Sequence, residues 1–122
     1  MAATEHALEL TRVAARAADD KKAHSIVALD VSGLSPMADT FVIASASNER
    51  QVVAIAEAVE EELAKHDAHA LVREGVREGH WALLHFADLT VHVMHDEDRA
   101  YYELERLYKD CPVIALDLEP GE

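Results

Sequence analysis

A chain of 122 residues with 50% hydrophobic content is enough for one domain around one core, and too apolar to be a disordered chain. Its formal charge of −13, from 24 acidic against 11 basic residues, argues against binding to phosphate backbones and anionic membranes and favours a basic protein as partner. The lone cysteine, Cys111, excludes an internal disulfide and a Cys-rich zinc site, and reads as a small buried apolar residue.

The first element is a helix from Thr4 to Ala18. Thr4 can cap it, and Ala7, Leu10, Ala14 and Ala17 recur at helical spacing with Val13 beside them. This N-terminus has neither the apolar core of a signal peptide nor the acid-poor character of a transit peptide. No apolar run reaches membrane-spanning length, so a cytoplasmic protein is expected. Asp19-Asp20-Lys21-Lys22 is a polar break.

Ser25 to Val31 follows as a strand, with Val27, Leu29 and Val31 on one face. After a Ser32–Pro36 loop, Thr40 to Ser45 forms a second strand. Its successive Phe41, Val42, Ile43 and Ala44 suit a central position buried on both faces. Ser47 or Asn48 caps the next helix, and Asn48 with Gln51 resembles a capping box. Val52, Ile55, Ala56, Val59 and Leu63 make its buried stripe, and the run Glu60–Glu62 lies mostly in solvent. A short extended piece, Ala70-Leu71-Val72, precedes a charged loop with Gly75 and Gly79.

His80 to His95 reads as a hairpin turning at Ala87-Asp88. A tight turn there opposes Phe86 to Leu89, Leu84 to Val91 and Ala82 to Val93, giving one wholly apolar face for the core. The other face carries Trp81, Leu83, His85, Thr90, His92 and Met94. It holds the only Trp in the chain and is the candidate contact surface. A final helix begins at Asp96, with Asp96, Glu97 and Asp98 in its first turn and a stripe of Tyr101, Leu104, Leu107 and Tyr108. Pro112 stops it. Val113 to Leu118 is apolar enough for a last strand, and the end of the chain, 115–122, is expected to fray. The alternation of helices and strands predicts an α/β domain spanning 1–122, with a mixed β-sheet flanked by helices.

The chemistry-bearing residues do not assemble into a known site. His80, His85, His92 and His95 cluster in the hairpin, but His95 lies on the opposite face from His85 and His92, and no carboxylate or Cys stands at a ligand spacing. Glycine-rich phosphate motifs are lacking. Ser45-Ala46-Ser47-Asn48 leads from a strand into a helix N-terminus, where an ordinary cap is the simpler reading. No cofactor or metal is expected.

Six segments, taken together, resemble the ribosomal silencing factor (Iojap-like) family. They are Ile26-Val-Ala-Leu-Asp-Val31, Ala38-Asp-Thr-Phe-Val-Ile-Ala44, Ser47-Asn-Glu-Arg-Gln-Val52, Trp81-Ala-Leu-Leu84, Asp88-Leu-Thr-Val-His-Val93 and Arg99-Ala-Tyr-Tyr-Glu-Leu-Glu-Arg-Leu107. The resemblance implies a nucleotidyltransferase-like topology whose catalytic residues are lost. That suits a chain whose loop lacks Gly and whose Asp88 has no carboxylate two residues away. It implies a translation-repressing factor that binds the large ribosomal subunit through ribosomal protein number fourteen, blocks joining of the small subunit, and forms homodimers. It also implies that Trp81 and Phe86 belong to the contact surface, to which the alternation pattern adds Leu83, His85 and Met94. The sequence departs from the family at His85, usually Asp, at Ala87, usually Gly, and at Tyr108, often Trp. An active nucleotidyltransferase-like enzyme using Asp88 and the Ser45–Asn48 helix start is the alternative.

Overall fold

The computed structural model describes residues 3–116 and 118. A five-stranded sheet in the order β1-β2-β5-β4-β3 forms its centre. The strands are β1 (His24–Asp30), β2 (Thr40–Ala46), β3 (Val72–Glu74), β4 (Trp81–His85) and β5 (Leu89–His95). β2 and β5 run parallel and the other neighbours antiparallel, so the sheet is mixed as the sequence predicts.

Two helices, α1 (Glu5–Asp20) and α2 (Glu49–Ala64), cover one face. Thr4 caps α1 by accepting from the Ala7 amide, and Asn48 caps α2 by accepting from the Gln51 amide. The Gln51 side chain does not return to the cap. Its Nε2 donates to the carbonyls of Lys21 and Lys22, tying the start of α2 to the end of α1. α1 runs through Asp20, two residues beyond the expected stop, and closes at Lys22 with φ 68°. The expected stripes of both helices are buried, against Ala28, Val42, Ala44, Ala82, Leu84, Val91 and Val93 of the sheet. One polar pair enters this layer: Thr11 donates to the Ala7 carbonyl, and its Oγ1 lies 2.7 Å from that of Thr40.

The opposite face carries a second, smaller core of Leu29, Val31, Ile43, Met94, Leu104 and Cys111, with Val27, Phe41, Trp81 and Tyr108 against it. Here two expectations need correcting. The last helix is not continuous. α3 (Asp96–Tyr102) ends at Glu103, which adopts a left-handed conformation (φ 48°, ψ 53°), and α4 (Leu104–Leu107) leaves in a new direction. Its expected stripe is therefore split: Leu104 is buried, whereas Tyr101 and Leu107 are 79% and 70% exposed. Arg99 holds the break, with its guanidinium on Glu105 beyond the bend and on the Ser45 hydroxyl in β2. The cap of α3 is His95, whose Nδ1 accepts from the Glu97 amide, rather than Asp96.

The edge strand β3 begins at Val72 and not at Ala70, because pairing with β4 sets its position, Val72 opposite His85 and Glu74 opposite Leu83. Among the described residues, the expected last strand is reduced to one bridge, Leu29 with Val113, supported by the Ile114 amide on the Ala28 carbonyl. Of the end expected to fray, 117 and 119–122 lie outside the described residues, while Leu116 packs against the main core.

Candidate docking surface

The hairpin keeps the expected register. Leu84 opposes Val91, Ala82 opposes Val93, and the Phe86 amide donates to the Leu89 carbonyl at 2.8 Å. Ala87 turns without a positive φ, so the turn needs no glycine there. The Asp88 carbonyl accepts from the amides of Asp39 and Thr40, which fastens the turn to the start of β2. Glycine is required instead at the approach to β4. Gly75 and Gly79 have φ of +70° and +75°, and a Cβ on Gly75 would lie 2.1 Å from the Trp81 carbonyl oxygen.

The apolar face of the hairpin is fully buried against α1 and α2. Its other face is buried in β5 and open in β4. Thr90, His92 and Met94 are covered, while Trp81, Leu83 and His85 are each half-buried. Val72 stands opposite His85 on the same side, and Glu74 opposite Leu83. From α3, Tyr102 packs on Trp81 with ring centroids 4.8 Å apart, and Tyr101 meets Tyr102 edge-on. The result is an open surface of Trp81, Leu83, His85, Val72, Tyr101 and Tyr102.

Two of the five expected contact residues are not on it. Phe86 is 1% exposed, because its side chain belongs to the helix-covered face. Met94 is 0% exposed, because Leu104 and its neighbours close over β5. Alternation assigned both to the correct face but could not show what covers it.

Within the surface, Trp81 Nε1 donates to His92 Nδ1 at 3.1 Å. A diagonal pair on one face of a hairpin is within reach of such long side chains. The hairpin register, with Trp81 opposite Met94 and Leu83 opposite His92, brings the two side chains diagonally together on the face where alternation places both. Burial pushes the His92 imidazole down to a pKa of about 4, so it is neutral. Since Nδ1 accepts, the proton sits on Nε2, which has no hydrogen-bond partner among the described residues. His85 bonds to Thr90 across the strands at 2.9 Å.

The arrangement does not suit metal or nucleotidyl chemistry. His80 is shared between Glu49 and Asp98 through different ring nitrogens, and among the described residues no group of three His, Cys, Asp or Glu could hold a metal ion. Asp88 lies beside Thr40, at the opposite end of β2 from Ser45, a separation of roughly 17 Å at about 3.3 Å per residue. Ser45 is itself 2% exposed and engaged with His24 and Arg99. The residues of the alternative enzymatic reading therefore do not converge on one site. Among the described residues, no helix is long and apolar enough to cross a membrane.

Comparison with known proteins supplies the identity of the fold. The sequence pattern of the family described as "ribosomal silencing factor during starvation" matches residues 4–122. Ribosomal silencing factor RsfS of Bacillus subtilis is 39% identical over 108 residues, covering 88% of this chain and 92% of its own. The chloroplastic protein Iojap of Arabidopsis thaliana is 32% identical over 113 residues, covering 93% of this chain and 45% of its own. A crystal structure from Chromobacterium violaceum superposes with a TM-score of 0.81 at 29% identity, covering 93% of this chain and 94% of that one. A second, from Bacillus halodurans, gives a TM-score of 0.78 at 38% identity, covering 88% and 98%. Matched over nearly its whole length, this chain belongs to the ribosomal silencing factor family, whose members are non-catalytic repressors of translation.

Proposed function

We propose that the protein represses translation in the cytoplasm by docking on ribosomal protein number fourteen of the large subunit, so that the small subunit cannot join. The observation that carries this reading is the half-buried Trp81, standing where the small core ends, beside Leu83, His85 and two exposed tyrosines. Trp and Tyr are enriched among the anchors of protein interfaces, and a rim of half-buried groups keeps water from such anchors. The net charge of −13 favours a basic protein over ribosomal RNA as the direct contact. Family membership supports the ribosome as the partner.

Sedimentation with purified large subunits, followed by addition of small subunits, tests both steps. The wild-type protein should travel with the large subunit and reduce joining. Trp81→Ala should bind roughly 30-fold more weakly, the effect of losing an anchor of about 2 kcal/mol. Wild-type binding that leaves joining untouched would remove the blocking mechanism, and unchanged binding of the variant would remove the surface.

A further inference from the structure

Apolar packing against the small core buries one side of Trp81, and among the described residues its one hydrogen bond, which orients the indole within that packing, is the 3.1 Å bond from Nε1–H to Nδ1 of His92. Its other ring neighbour, Tyr102, is itself 48% exposed and gives no rigid wall. His92, by contrast, is 5% exposed and packed edge-on against Phe41 at 5.0 Å, so its ring has little freedom. On stability grounds a histidine is a poor choice here. With Nδ1 accepting, the Nε2–H donor is buried without a hydrogen-bond partner among the described residues, which costs free energy that an apolar residue would avoid. What the imidazole supplies in return is the acceptor for the indole.

We infer that His92 is a positioning residue, whose Nδ1 holds the Trp81 indole in the orientation that the docking surface presents to its partner. This rests on the reading of Trp81 as the anchor. Burial keeps the imidazole neutral down to pH of about 4, so the acceptor is present under ordinary conditions. A residue that breaks a local packing rule beneath a contact surface fits the general expectation that such rules yield at functional sites.

Because the chain has a single Trp, the long-wavelength end of its near-ultraviolet circular dichroism, where Tyr and Phe do not absorb, reports this one indole. The test compares His92→Leu, His92→Asn and Trp81→Ala by affinity for purified large subunits, by that spectrum and by melting temperature. His92→Leu should bind about tenfold more weakly (~1.4 kcal/mol), lose the indole signal and melt no lower than wild type. His92→Asn, whose side-chain oxygen can take the place of Nδ1, should restore both binding and signal. If His92→Leu binds as wild type while Trp81→Ala does not, the inference falls and the docking surface stands. If Trp81→Ala also binds as wild type, both fall together. Should His92→Leu melt lower, the decision passes to His92→Asn against His92→Gln, since only the former sets an acceptor at the Nδ1 position. Tighter binding by the Asn variant supports the inference, and equal binding overturns it.

Discussion

Lowering the pH from 7 to 5 should cost the folded protein about 2 kcal/mol through His92 alone. Burial holds this imidazole at a pKa of about 4, against 6.5 for an unperturbed histidine. Between those values the unfolded chain binds a proton that the folded chain refuses, so stability rises with pH across the window. The contribution is complete above pH about 6.5 and is lost as the pH falls towards about 4, below which both states are protonated and the loss levels off. One pH unit within the window is worth about 1.4 kcal/mol, and the step to pH 5 crosses roughly a unit and a half of it. Desolvation is the single cause of the shift, and the groups against the ring are Trp81 and Phe41, not a charge. Urea titrations of the wild type and His92→Leu at pH 7 and pH 5 isolate this contribution, because the other titrating groups cancel in the difference between the two proteins. The wild type should lose about 2 kcal/mol more than the variant over the interval. Equal losses would mean that the imidazole is not held neutral in the folded state, and the argument would fail.

Gly79→Ala should lower stability by about 2 kcal/mol or more in the same titration. The added Cβ would meet the Glu49 carbonyl oxygen at 2.7 Å, on backbone already at φ +75°. Lys22→Gly should raise stability by about 0.5–1 kcal/mol, because it relieves a left-handed residue (φ 68°) at the end of α1. Trp81→Ala, measured by thermal unfolding, should cost about 1–2 kcal/mol, since its ring packs on the small core but keeps a side in solvent; a loss of ~3–5 kcal/mol would mark it as core instead. The exposed Tyr101, Tyr102 and Leu107 predict self-association, and light scattering at micromolar protein should give the mass of a dimer; a monomer mass across that range would exclude it.

The hairpin and α2 were legible because each has an unbroken period. Alternation fixed which side chains of β4 and β5 share a face, and 3.6-residue spacing fixed the stripe of α2. The end of α3 was not legible in the same way. Glu103 carries no local signal for a left-handed bend, and the bend is held by Arg99 reaching Ser45, 54 positions away in the chain. β3 slipped by two residues because a three-residue edge strand has little pattern of its own and takes its register from β4. The candidate surface was half legible. Sequence placed Trp81, Leu83 and His85 with Met94, but the cover over Met94 comes from Leu104 and Cys111, which no periodicity connects to it.

That uneven cover explains why this face offers a surface at all. The helix-covered face is closed by α1 and α2, of 16 residues each. The other has only the seven residues of α3, the four of α4 and the segment that follows. Because α3 starts directly from the end of β5 and is pinned by Arg99 to β2, that limited material falls over β1, β2 and β5. Leu104 enters the small core there, and β4 is covered only in part, by Tyr102 over Trp81. The adjoining edge does not compete for partners. β3 is short and carries Arg73 and Glu74, with Arg73 paired to Glu60 of α2, features that discourage strand addition. On the proposed function, a partner would meet the side chains on the face of β4 rather than the backbone of its neighbour, with Trp81 as the anchor.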